Sequence, residues 1–375
     1  MNERVAAVLR GLGDRESVAD VGGMAEAALA AGEARFLGDL GVALARSGVD
    51  AWQHRNVFGR LLRLLCLTPG REHVEEAVRL VDATNGATPP YPRLAAALLA
   101  EGQSPADLGA VFAGGARAHA PEESRACLVH ELVLRGALPG EVPALDRWAR
   151  SRHWRHHPLR RLPLELLTVE KRPALASNSS RGSSRSLPDP RPGASLAPAR
   201  SGSRPPLATE RTTEAFRANA GAAVHNWCAE SNGTYESGHW ELSAPVAEAA
   251  VPLLLRGLGL GSLATAKPRR PLALTRPTPE QVWAVLFAAA AHGGAYSGGE
   301  YGAYGRLAAW RSFAALAGAP EDAEPAHVEE IAYGCAWYGF AGVTKWFRMV
   351  AWDVGFAAVR PDGRELAVLA ATDTD

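Results

Sequence analysis

Residues 172–211, "RPALASNSSRGSSRSLPDPRPGASLAPARSGSRPPLATER", hold serine, proline, arginine and glycine but almost no large apolar side chain. Ordering a residue costs about 1–2 kcal/mol of backbone entropy, and without apolar burial little offsets it. The segment therefore reads as a disordered Ser/Pro/Arg-rich linker, and it divides the chain into residues 1–171, 172–211 and 212–375. A length of 375 residues suits two domains, each able to bury its own core. With 47% hydrophobic and 21% charged residues, the two flanking parts have ordinary globular composition.

Between about residues 15 and 170 apolar side chains recur at helical spacing. "ARFLGDLGVALARSG" sets Phe36, Leu37, Leu40 and Leu44 on one side, and "NVFGRLLRLLCLTPG" repeats this with Phe58, Leu61, Leu62 and Leu65 before Thr68-Pro69-Gly70 stops it. "REHVEEAVRLVDATNG", "YPRLAAALLAEG", "SPADLGAVFAGG", "PEESRACLVHELVLRG" and "GEVPALDRWARSRHW" continue the theme. Helix starts fall every 17 to 20 residues or so, and a pair spans roughly 35 to 40, the scale of tetratricopeptide-like or HEAT-like arrays. No repeat consensus is present, so an irregular helical-hairpin array and a globular bundle both remain open.

The C-terminal part mixes helix and strand. Thr212 or Thr213 opens a helix through "TTEAFRANAGAAVHNWCAE", and "SNGTYESGHWELS" is extended. Helices follow at "APVAEAAVPLLLRGLGLGSL", at "TPEQVWAVLFAAAAHGG" with N-cap Thr278, at "YGRLAAWRSFAALAGAP" and at "EPAHVEEIAYGCAWYGFA". The closing "DVGFAAV-RPDG-RELAVLAATDTD" is the strongest strand signal, two apolar runs joined by a turn with glycine at its left-handed position. The predicted fold is a mainly α N-terminal helical-hairpin array plus an α+β C-terminal domain with a small antiparallel sheet.

The candidate site is "GGAYSGGEYGAYGR", residues 293–306. It follows a helix rather than a strand, so it lacks the context of a dinucleotide fingerprint, and no Gly-Lys-Ser/Thr supplies a phosphate loop. It does lead into a helix N-terminus, where free N–H groups favour an anion. On this reading Arg306 clamps the anion, Tyr296, Tyr301 and Tyr304 wall a pocket, and Glu300 accepts hydrogen bonds or acts as acid or base. The competing reading has the glycines bring two helices together while the tyrosines pack and Glu300 pairs with an arginine. The loop with its flanking helices and the closing "VAWDVGFAAVRPDGRELAVLAATDTD" resembles a family of uncharacterised actinobacterial proteins, a domain of unknown function. That resemblance implies a shared architecture and no reaction.

Other features narrow the function. Lys plus Arg and Asp plus Glu both number 40, which argues against a nucleic-acid binder. Residues 147–211 carry fourteen basic and four acidic residues, consistent with a solvated tether, an acidic partner or RNA. His153, His156 and His157 stand among arginines that repel a cation, so no metal site is expected. Cys66, Cys127 and Cys335 lie in apolar surroundings, and Cys228 is separate from them. Asp373, Asp375 and the terminal carboxylate form a cation-friendly cluster in principle but read as a frayed terminus, and Trp337, Tyr338, Trp346, Phe347 and Trp352 as core or an interface. No signal peptide or membrane span is apparent, and no cofactor motif appears. The expectation is a cytoplasmic, noncatalytic module with a protein partner, the alternative a small-anion or small-molecule binding protein or an enzyme using the Gly/Tyr-rich loop 293–306.

Overall fold

The computed structural model describes residues 3–84, 91–113, 120–137, 139–185, 188–196, 204–264, 272–341, 346–347 and 352–374. The chain divides into two compact units, the first formed by residues 1–160 and 176–184 and the second by residues 161–175 and 185–375.

The first unit is a helical array. Its helices are α1 (Glu3–Leu9), α2 (Ala19–Ala30), α3 (Ala34–Arg46), α4 (Trp52–Leu67), α5 (Arg71–Ala83), α6 (Tyr91–Gly102), α7 (Pro105–Ala113), α8 (Glu122–Leu134), α9 (Pro143–Trp148) and α10 (Arg152–His156). They stack as two rows, α2–α4–α6–α8 and α1–α3–α5–α7–α9. Helices α2 to α6 pack against their first neighbours in sequence as well as their second, as stacked hairpins do. Phe36, Leu37, Leu40 and Leu44 of α3 and Phe58, Leu61, Leu62 and Leu65 of α4 are all buried, which matches the apolar stripes of the sequence. The last carbonyls of α4 have no partner within the helix, and Gln103 supplies one. Its Nε2 donates to Cys66 O (2.8 Å) and Thr68 O (2.6 Å), while its Oε1 accepts from Gly70 N (3.0 Å). A two-stranded hairpin, β1 (Ser177–Ser179) and β2 (Gly182–Ser184), completes the unit.

The second unit is α+β, as expected, and its antiparallel sheet has seven strands. In order across the sheet these are β3 (Ala194–Ser195), β6 (Ala273–Arg276), β7 (Ala336–Ala341), β8 (Trp352–Val359), β9 (Glu365–Asp373), β5 (Thr234–Leu242) and β4 (Ala208–Glu210), each antiparallel to its neighbours. The helices are α11 (Glu214–Ala220), α12 (His225–Glu230), α13 (Val251–Gly257), α14 (Pro279–His292), α15 (Tyr301–Ala317) and α16 (Pro325–Gly334). Leu366, Val368 and Ala370 of β9 pack with Trp240, Phe340 and the apolar residues of α13. The opposite face meets α15, where Phe313 stacks on Trp337 of β7 with ring centroids 5.2 Å apart. Helix-side and α13-side cover together explain why residues 366–371 are an unbroken apolar run: strands buried on both faces need no polar alternation.

Four expectations change. Within residues 172–211, expected as a disordered linker, the described residues include β1, β2, β3 and β4, which gain their order from backbone pairing with one another or with neighbouring strands. The helix expected over 212–230 breaks into α11, a 3-10 turn and α12 at Gly221, whose missing Cβ leaves room for the Tyr235 ring. Only Val251–Gly257 of the expected 244–263 helix is α-helical; Pro252 sits in its first turn, where a missing N–H costs nothing, and Gly259 is left-handed (φ 77°) just beyond its end. The helix expected through residue 341 ends at Gly334, and β7 follows, with Trp337 on one sheet face and Tyr338 and Phe340 on the other.

Candidate binding site

Helix α14 begins with the N-cap read from the sequence. Thr278 Oγ1 accepts from Gln281 N (3.4 Å), and Gln281 Oε1 accepts from Thr278 N (2.9 Å). It ends at Gly293, left-handed at φ 77°, and residues 293–300 form the turn into α15. Glu300 takes the N-cap position of α15 without a side-chain cap, and its N–H donates to Ala290 O (2.9 Å). Tyr301 opens α15 in the left-handed region (φ 59°), a conformation that costs a non-glycine residue about 1–2 kcal/mol. The surroundings must hold it there.

The turn ahead of it is held from the far end of β9. Asp373, expected in a frayed terminus, is 1% exposed and is the anchor of the turn. Its Oδ2 accepts from Ala295 N (2.7 Å), and its Oδ1 accepts from Ser231 Oγ (3.0 Å) and Thr374 N (3.0 Å). Ser231 Oγ in turn accepts from Tyr296 N (3.2 Å), and Ser297 Oγ accepts from Gly294 N (2.6 Å). A Cβ on Gly294 would fall on Asp373 Oδ2, so glycine is needed there for the carboxylate to approach. Arg185, from the segment read as linker, donates to His292 O and to Gly298 O (3.2 Å). Asn226 Nδ2 and Trp227 Nε1 donate to Ala290 O (3.3 Å) and Ala289 O (3.1 Å) at the end of α14. His292 donates from Nε2 to Ala174 O (2.6 Å), and burial, aided by Arg185, holds its pKa below the usual histidine value, so it is neutral.

The predicted site residues separate. Tyr296 is 63% exposed on the tip of the turn, and Tyr301, Tyr304 and Glu300 are half-buried. Arg306 is fully buried and committed elsewhere. Its Nε and Nη2 make a fork to Glu170 Oε1 (2.6 Å) and Oε2 (2.7 Å), and Nη1 and Nη2 also donate to Pro163 O (2.8 Å) and Glu165 O (3.0 Å). Glu170, itself 0% exposed, accepts further from Trp310 Nε1 (2.8 Å) and Leu167 N (3.0 Å). The anion clamp expected of Arg306 is thus already closed on a carboxylate of the same chain. It pins residues 161–175 to α15.

Cys66 and Cys127 are buried, and burial raises both thiols; Cys228 is raised by burial and by Asp373, and Cys335 is pushed up to about 11 by burial. None of them is a thiolate at neutral pH. Among the described residues no group of three or more His, Cys, Asp and Glu could hold a metal ion, and no helix is long and apolar enough to cross a membrane. Of the histidines near residue 155, His157 stacks beside Trp154 and its Nε2 lies 3.0 Å from Glu123 Oε2, while His156 Nδ1 meets Arg152 O. Asp353 accepts from Thr372 Oγ1 (2.6 Å) across the β8–β9 pair.

Asp373, Ser231 and Arg185 were missed because nothing in one sequence reveals a pairing over 78 or 142 residues. The only local signal was the uninterrupted run leading into "ATDTD", which carries the strand as far as Asp373. No curated protein and no solved structure matches the chain. A family model does, over residues 19–375, and the chain belongs to that family, the family of unknown function DUF6183.

Proposed function

We propose that this protein is a noncatalytic protein-interaction module, in which the helical array of the first unit offers one surface and the turn at residues 294–298 offers another. The carrying observation is Tyr296, an exposed aromatic on a turn whose backbone is held by buried Asp373 through Ala295 and Ser231. Tyrosine provides large contact area with few torsions to freeze, and a preorganised turn lowers the entropy lost on association. The protonated thiols and the consumed charge of Arg306 favour binding over catalysis or anion capture.

The test is affinity capture with the wild-type protein, Tyr296→Ala and Tyr333→Ala, the last a second exposed tyrosine outside the turn. A partner retained by wild type and Tyr333→Ala but lost by Tyr296→Ala supports the reading. Equal recovery by all three removes Tyr296 from it. A stabilising shift on titration with inorganic phosphate, abolished by Tyr301→Phe or Tyr304→Phe, would instead favour a small anionic ligand.

A further inference from the structure

The hairpin β1–β2 is tied to the row α2–α4–α6 of the array by hydrogen bonds to charged side chains. Asn178 is read on every side. Glu101 of α6 takes its backbone N–H on Oε1 (3.0 Å) and its side-chain amide on Oε2 (2.5 Å). Its carbonyl Oδ1 accepts from Arg63 of α4 (3.3 Å) and from Ser183 Oγ (2.6 Å), and Arg63 also donates to Ser183 Oγ (3.2 Å). One turn further, Ser180 Oγ donates to Glu26 of α2 (3.4 Å), whose carboxylate is held by Arg60 (2.8 Å) and lies close enough to Arg181 to feel its charge. Three successive helices of one row thus contribute charged groups to a single short hairpin.

A carboxylate that takes both the main-chain and the side-chain N–H of one residue, opposite a guanidinium on that residue's carbonyl, is a recognition arrangement for asparagine. The contacts are superficial, so little apolar burial would resist exchange of the strand. We propose that the α2–α4–α6 face is a docking surface for an extended, serine- and arginine-bearing segment of a partner protein that presents an asparagine, and that the chain's own residues 177–184 occupy it as a competitor. This deepens the interaction reading by naming the partner's chemistry. It does not depend on Tyr296, so the titration below and the capture experiment above can fail separately.

The probe is a fluorescein-labelled peptide of residues 175–185 titrated against the full chain. Wild type, its surface filled, binds it weakly. Asn178→Ala and Asn178→Asp vacate the clamp, the second by setting a carboxylate against Glu101, and each binds the peptide at least about tenfold more tightly, the range set by a hydrogen bond to a charged group. Adding Glu101→Ala or Arg63→Ala to either variant returns the affinity to the wild-type level, and a peptide with alanine in place of its asparagine binds none of the chains. Circular dichroism confirms the fold of each variant. Unchanged affinity in both vacated variants overturns the proposal, as does indifference to Glu101→Ala, as does failure of both variants to fold. A wild-type dimer in sedimentation that Asn178→Ala abolishes also overturns it, since the hairpin would then be exchanged between copies.

Discussion

Removing the Glu170 carboxylate would leave a guanidinium with no water to turn to, because both partners are fully buried. Breaking a buried pair from one side costs about 3–5 kcal/mol, whereas replacing both partners by apolar groups costs much less. Urea unfolding is therefore expected to show a loss of about 3–5 kcal/mol for Glu170→Gln. Asp373 acts the same way at lower stake. Asp373→Ala leaves the N–H of Ala295 without its acceptor, so hydrogen exchange should accelerate at Ala295 and Tyr296, with about 1–3 kcal/mol of stability lost. An arginine after a glycine loop and an aspartate near a chain end are ambiguous in a sequence. Arg306 resembles an anion clamp and Asp373 a frayed tail until their partners 136 and 78 residues away are known.

Elements whose signals are local were readable. The Thr278-Pro279-Glu280 start of α14, the stop of α15 at left-handed Gly318, and the β8–β9 hairpin with Gly363 at φ 71° all follow from capping and turn chemistry. Elements decided by what covers them were not. "YGCAWYGFA" continues a helical apolar pattern, yet becomes β7 because the sheet gives Trp337 and Phe340 a face each. The short strands β3 and β4 carry no propensity signal, and their partners β6 and β5 supply the hydrogen bonds. Close packing at the sheet centre makes Gly355 a sensitive position, since an added Cβ would press on Phe340 O and its ring. Gly355→Ala is expected to cost about 1–3 kcal/mol by overpacking, read as a lowered melting temperature.

For the whole molecule, acid should act through histidines as well as carboxylates. His292 is held below the usual histidine range by burial and by Arg185, and His239 by burial and by Arg360 against the opposing pull of Glu365. A histidine whose pKa falls on folding binds its proton more readily when unfolded, so its contribution is complete above the unfolded value of about 6.5 and is lost as pH falls through it toward the folded value. Melting temperature should therefore decline from pH 7.5 toward pH 5, and His292→Gln should flatten part of that decline. The sequence by itself determined the helical periodicity of residues 15–170, the main helix caps and the final hairpin, because these depend on neighbours within a turn or two of chain. Only the tertiary structure decided that residues 177–184, 194–195 and 208–210 join two sheets, that Arg306 is neutralised and that Asp373 holds the turn. Each of those depends on which distant group arrives to satisfy a charge or a backbone N–H, and spacing along a chain does not encode that meeting.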